Sequence, residues 1–150
     1  YQLLGNYYKP KKGSKLSGVG LIDAYTEASD KRMIGNLVIE LAKQLTVNSK
    51  QSTLVGFENH SGQTFLGKNT QSLGRVIKGF GNNGKDGTEG AWQGNVFGCY
   101  LHGSLLPKNP HFADFLTEKA LERRYGKVNL AKLDDTLEWQ AHQAVLRRFI

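Results

Sequence analysis

An apolar run at residues 96–101, Val-Phe-Gly-Cys-Tyr-Leu, gives way at once to His102, Gly103 and the prolines at 107 and 110. A short, mostly apolar run bounded by glycine reads as a strand buried in a sheet. Gly103 and the prolines then force the chain to turn away from that sheet. A histidine at this junction stands half in a core and half in a cleft. There, burial and neighbours tune an imidazole and the turn aims it, which suits a general base. A structural histidine satisfied by its surroundings fits the same stretch equally well, and the stretch alone does not separate the two.

With 150 residues and 39% hydrophobic content, the chain is expected to form one domain with a real core. No apolar run approaches the ~20 residues of a membrane helix, and no charged-then-apolar leader is visible. A cytoplasmic protein without membrane insertion is therefore expected. The single cysteine, Cys99, excludes an internal disulfide framework and fits a reducing compartment. The formal charge of +7 favours an acidic partner or an anionic substrate. Its basic residues are spread, however, between Lys9, Lys11, Lys12 and Lys15 and a distant group of Arg123, Arg124, Lys127, Arg147 and Arg148. That distribution reads mainly as solvated surface, with nucleic-acid binding a lesser alternative.

Leu3, Leu4, Tyr7 and Tyr8 recur at helical spacing, so the first residues are expected to be helical, against Gly5 and only as far as Pro10. Residues 11–18 form a basic, glycine-bearing loop, residues 19–24 a short strand and residues 26–31 a polar connection. Arg32 follows. It is either a solvated surface arginine, as most are, or a fork that grips a carboxylate in two parallel bonds. Residues 36–47 read as an extended strand, and Thr53-Leu54-Val55-Gly56-Phe57 as another. The latter runs into Glu58-Asn59-His60-Ser61-Gly62, whose polar side chains are expected at the rim of the sheet. Asn59 and His60 could instead make turn hydrogen bonds. Residues 74–80 form a third strand, followed by the turn-rich Gly81-Asn82-Asn83-Gly84-Lys85-Asp86-Gly87.

Beyond the prolines the period becomes helical. Pro110 suits a helix start with Asn109 as its N-cap; Phe112, Phe115, Leu116, Ala120 and Leu121 line one face, and Gly126 closes the helix. Residues 134–150 are expected to form a second helix, with Leu137, Ala141, Ala144, Val145 and Phe149 on its apolar side. His111 and His142 are expected on the surface. No His, Cys, Asp or Glu grouping has metal-ligand spacing, and no glycine loop has the phosphate-cradling form.

Three of these stretches form a pattern in one order: Val55-Gly56-Phe57-Glu58-Asn59-His60-Ser61-Gly62, Gly79-Phe80-Gly81-Asn82-Asn83-Gly84, and residues 98–110. Together they resemble the cobyric-acid-synthase-type class I glutamine amidotransferases, and more narrowly the glutaminase subunits of lipid II isoglutaminyl synthase. The likeness spans roughly residues 1–126. Residues 127–150 carry no matching motif and read as a helical extension of the same domain. The resemblance implies an α/β fold, the C-terminal part of a flavodoxin-like three-layer domain with strands flanked by helices. It implies no cofactor. Glutamine is the implied substrate. The implied partner is a Mur-ligase-like, ATP-dependent synthetase subunit in a heterodimer, which amidates the D-glutamate of the peptidoglycan stem peptide. Neither nucleic acid nor an ATP site is implied for this chain.

In that family a cysteine nucleophile heads the motif Cys-Gly-Gly-Tyr-Gln-Leu-Leu-Gly. Tyr1-Gln2-Leu3-Leu4-Gly5 matches its end, so the nucleophile is expected upstream of Tyr1 and the chain alone is expected to be inactive. Cys99 does not replace it, because a thiol inside an apolar strand is usually inert and the alternation turns it away from His102. By position, His102 corresponds to the histidine that deprotonates the cysteine and protonates departing ammonia. Gln2 corresponds to a glutamine that contacts the substrate, and Arg32 to an arginine that binds its α-carboxylate. Ser104 stands where many class I enzymes carry the acid that orients the histidine. That acid is absent, comes from Glu58 or elsewhere, or comes from the partner. The alternative reading is a nucleophile-less fragment or pseudoenzyme that serves only as a partner-binding module.

Overall fold

The computed structural model describes residues 1–46 and 51–149, and its centre is one long antiparallel hairpin. Strand β3 runs Ala24–Leu41 and β4 runs Thr53–Leu66, paired from Ala24–Leu66 at one end to Glu40–Thr53 at the other. The sequence reading had divided each of these strands at its polar residues. Residues 26–31, expected as a connection, lie inside β3, and residues 19–23, expected as a strand, precede it as loop. Glu58 to Gly62, expected at a rim, lie in the middle of β4. A strand tolerates inward polar side chains when partners on the facing layer satisfy them. Val47 lies outside the described residues.

One edge of β3 carries β4 throughout, while its other edge is shared by two strands. Strand β1 (Tyr7–Lys9) lies parallel to the start of β3 and pairs with β2 (Leu16–Ser17). Strand β5 (Gly74–Lys78) lies antiparallel to the end of β3 and carries β6 (Thr88–Glu89). The start of the chain is therefore a 3-10 turn over Gln2–Leu4 followed by a strand, and not the expected helix. Leu3, Val19 and Leu21 stay exposed beside that turn, tied by Val19 N–H to Leu3 O and Leu21 N–H to Leu4 O. A separate two-stranded sheet, β7 (Ala91–Gln93) and β8 (Val96–Gly98), turns at Gly94 with φ of 60°. Strand β8 is shorter than expected, but Tyr100 and Leu101 beyond it are buried.

Helix α1 (Pro110–Tyr125) begins and ends as its sequence predicts, with Gly126 at φ 78° donating to Glu122 O. Asn109 holds the N-cap position but does not cap. Its buried amide accepts from Val55 N–H and donates to Val55 O, both at 2.8 Å, and donates to Leu105 O at 2.6 Å. It acts as a strand neighbour for β4. Helix α2 (Thr136–Phe149) packs through Trp139 and His142, while Leu137, expected inward, is 73% exposed. His142 is fully buried, hydrogen-bonded through Nδ1 to Lys108 O and through Nε2 to Gln51 and Thr53. His111 stacks on Trp139. Burial, then the neighbouring His142, holds its imidazole down to about 4. Both histidines had been expected on the surface; α2 folds back over the N-terminus of α1 and covers them.

The main apolar core joins Leu37, Ile39, Leu41 and Leu54 of the hairpin to Leu73, Leu101 and Phe112. A smaller core holds Ile22, Ala24 and Ala91. The chain is thus a mixed α/β domain with a central sheet flanked by helices. Among the described residues no helix is long and apolar enough to cross a membrane.

Candidate active site

Between the two cores the inward face of β4 changes character. Alternation turns Leu54, Gly56, Glu58, His60, Gly62, Thr64 and Leu66 to one side, with Phe57 and Asn59 on the other. The ends of this row are apolar and its middle is polar. Its two glycines are gaps, and a site residue approaches each one. A Cβ on Gly56 would sit 2.7 Å from Leu101 Cδ2 and 3.3 Å from His102 O, and one on Gly62 would collide with the Gln2 side-chain amide. Close approach of this kind is what glycine permits in a strand.

His102 is locked to β4 through its backbone, its N–H donating to Phe57 O at 2.6 Å and its O accepting from Phe57 N–H at 3.2 Å. Its side chain is exposed and makes no hydrogen bond among the described residues. The expectation of a half-buried imidazole is corrected here, because the apolar run closes at Leu101 and His102 falls on the outer side. Ser104 adopts φ 63°, completing the turn with Gly103 at 66°. Glu58, one candidate for orienting His102, is fully buried and engaged elsewhere. Its carboxylate accepts from Phe80 N–H at 2.7 Å and Gly81 N–H at 3.0 Å, and lies 3.5 Å from His60 Nε2.

His60 shares Glu58 with that loop, bonds Gly62 O through Nδ1 at 2.9 Å, and stacks flat on Tyr100 with ring centroids 3.5 Å apart. The Tyr100 hydroxyl accepts from Gln2 Nε2–H at 3.0 Å and bonds Thr64 Oγ1 at 2.7 Å, which in turn bonds Thr26 Oγ1 at 2.7 Å. Behind this layer the buried Glu89 accepts from Tyr100 N–H at 2.5 Å. Burial pushes its carboxyl up to about 8, against the backbone N–H bonds that lower it. Burial likewise raises the Tyr1 and Tyr100 phenols.

Tyr1, Gln2, Leu3, Asn59, His60, Cys99, Tyr100 and His102 line one open depression. Arg32 reaches it through Asn59, whose Oδ1 accepts from the arginine Nε–H at 2.8 Å. Arg32 is exposed because β3 bulges at this point. Between the pairs Ala28–Gly62 and Met33–His60, β3 has to fit in more residues than β4 and pushes 29–32 outward. Cys99 also borders the depression while its side chain packs against the main apolar core. Its thiol faces Leu101 O, and burial, then the charge of Glu89, pushes it up to about 12, so it is not a ready nucleophile.

Of the three residues singled out from the sequence, Gln2 and His102 thus line one depression, and Arg32 touches its rim through Asn59. Tyr100 and Glu89 carried no signal that set them apart from packing residues. For Tyr100 the pairing of Glu58 and His60 at i, i+2 was the available clue, since two inward polar groups need a polar partner layer. No group of three His, Cys, Asp or Glu among the described residues could hold a metal ion.

Residues 1–110 match the CobB/CobQ-like glutamine amidotransferase domain, and the chain belongs to that family. More particularly, it is 41% identical over 148 residues to the lipid II isoglutaminyl synthase (glutamine-hydrolyzing) subunit GatD of Staphylococcus aureus (strain N315), a match covering 99% of this chain and 57% of that protein. The subunit of the same name from Streptococcus pneumoniae (strain ATCC BAA-255 / R6) is 37% identical over 139 residues, covering 91% of this chain and 51% of that protein. A probable cobyric acid synthase of Methanothermobacter thermautotrophicus is 32% identical over 143 residues, covering 89% and 26%. The chain therefore spans about half the length of the two GatD relatives.

Proposed function

We propose that these residues form the part of a glutaminase subunit that carries the general base and the substrate contacts. The glutaminase in turn serves the amidation of lipid II. The reading is carried by the convergence of Gln2, His102 and, through Asn59, Arg32 on one depression. In this scheme Arg32 grips the α-carboxylate of glutamine with the nitrogens its bond to Asn59 leaves free. Gln2 contacts the substrate. A cysteine from outside these residues attacks the side-chain amide, since Cys99 is the only cysteine here and its thiol stays protonated. His102 takes the thiol proton and returns it to the departing ammonia, and water then releases glutamate from the thioester.

The exposure of His102 suits this role, because an imidazole at the rim can meet groups brought by another segment or subunit. The ammonia acceptor in this reading belongs to an ATP-dependent, Mur-ligase-like partner that works beside the membrane without being inserted in it. The 150 residues alone are expected to release no glutamate. Extending them with Cys-Gly-Gly and the preceding strand should restore glutamate release, and His102→Ala in that protein should abolish it. Release that persists in His102→Ala, or that appears from the 150 residues alone, would overturn the proposal.

A further inference from the structure

Gln2 is held from two sides. Gly62 leaves the space its amide fills, since a Cβ there would collide with Gln2 Nε2 and come within 2.8 Å of Thr26 Cγ2. Tyr100 supplies the oxygen on which that amide rests, at 3.0 Å. Each hydroxyl has one hydrogen, and Gln2 N–H already donates to the Tyr100 oxygen. The Tyr100 hydroxyl also bonds Thr64 Oγ1, which bonds Thr26 Oγ1, so a buried chain of hydroxyls anchors the oxygen on which the amide rests. The Gln2 Oε1 is left with no partner among the described residues, at a side chain that lines the depression. A fixed amide with a free oxygen selects an N–H donor on the ligand.

We infer that Tyr100 and Gly62 are positioning residues: they hold the Gln2 amide with its Oε1 toward the depression, where it accepts an N–H of the bound substrate. The inference rests on the glutaminase reading above and adds which groups orient the substrate contact. Neither residue touches the reacting atoms; both act through Gln2. Tyr100→Phe is the informative variant, because it keeps the ring stacked on His60 and removes only the hydroxyl. Gly62→Ala displaces the same amide, the mobile end of a long side chain.

The test is a double-mutant cycle in the protein that carries Cys-Gly-Gly ahead of Tyr1, with glutamine as substrate and His102→Ala as control. Tyr100→Phe is expected to raise KM about 5- to 10-fold with kcat nearly unchanged, the loss of one ordinary hydrogen bond. Gly62→Ala is expected to act in the same sense. Tyr100→Phe should add nothing once Gln2 is alanine, because residues that act through one group do not add. In the 150-residue chain itself, NMR should find the Gln2 side-chain amide rigid, and freed by Tyr100→Phe. An unchanged KM in Tyr100→Phe, a penalty of that variant that persists in the Gln2→Ala background, or an amide equally mobile in both chains would each overturn the inference while an inactive His102→Ala leaves the glutaminase reading standing. An active His102→Ala would bring down both.

Discussion

The two halves of the β3–β4 hairpin present the same inward face to two different tasks. Towards Glu40 and Thr53 the face is Leu37, Ile39 and Leu54, closed by Phe112 of α1. Towards Ala24 and Leu66 it is Glu58, His60, Thr64 and Thr26, closed by Tyr100 and Gln2. Both halves are buried and both are strand, so neither burial nor secondary structure distinguishes them. The difference lies in what a change disturbs. Apolar contacts are non-directional and summed over area, so loss of one atom group costs stability without misaligning anything. Hydrogen-bond chains depend on orientation, so loss of one hydroxyl reorients its neighbours as well as costing stability. The candidate site is built on the half where the contacts depend on orientation.

The contrast is sharpest for Leu54→Ala in the apolar half. It should destabilise the chain by about 2–5 kcal/mol, read from the midpoint of urea unfolding. The arrangement of Gln2 and Tyr100, read by NMR, should survive at temperatures where the variant remains folded. Disruption of the Gln2 seat by this change would dissolve the distinction between the halves.

Glu89 gives the polar half a pH dependence of its own. Its folded carboxyl titrates near 8 against 4.5 for an ordinary glutamate. The folded state therefore holds a proton that the unfolded chain has released, and stability is greatest below 4.5 and is lost as pH rises to about 8. The loss should be on the order of a few kcal/mol, and Glu89→Gln should flatten it. An unfolding midpoint equally dependent on pH in both proteins would show that Glu89 is not the group responsible.

The helical side of the apolar half responds in the opposite sense. Burial and His142 hold His111 near 4, below its ordinary 6.5, so stability should be present above 6.5 and fall as pH drops towards 4. Docking of α2 should loosen first, visible as a change in Trp139 fluorescence. A His111→Gln variant with the same acid response would assign it elsewhere.

A smaller effect on stability is expected from Thr64→Val, about 1–3 kcal/mol by unfolding, because the buried Thr26 and Tyr100 hydroxyls each lose a partner. The same change should still disturb the Gln2 amide, because the Tyr100 hydroxyl on which it rests loses its Thr64 partner. A large stability loss with an undisturbed amide would reverse the assignment of the two halves.

Several parts of this arrangement were legible before the fold. The apolar run ending at His102 reads as buried chain, and Pro110 and Gly126 bracket α1 as their backbone chemistry demands. The glycines and asparagines of residues 81–87 do form turns, with Gly81, Gly84 and Gly87 at positive φ. The length of β3 and β4 was not legible. Thr26, Glu58, His60 and Thr64 look like breaks in an apolar pattern until the N–H groups of residues 80 and 81 that meet Glu58 and the Tyr100 ring and hydroxyl that meet His60 and Thr64 are present. His142 was misread for the same reason: a histidine on an amphipathic helix looks solvated unless the Lys108 carbonyl and Thr53 hydroxyl that bury it are known.

Local chemistry in the chain by itself determined the turns, the ends of α1, the position of the strand before His102 and the chemical identity of Gln2, Arg32 and His102. These depend on backbone preferences and side-chain type, which each residue carries wherever it is. Tertiary structure alone decided that Arg32 is pushed out on a bulge, that Gly56 and Gly62 are seats, and that Glu89 retains a proton. Those properties depend on which groups meet across the sheet, and residues as far apart as Gln2 and Tyr100 acquire a common role only when folding brings them within a hydrogen bond of one another.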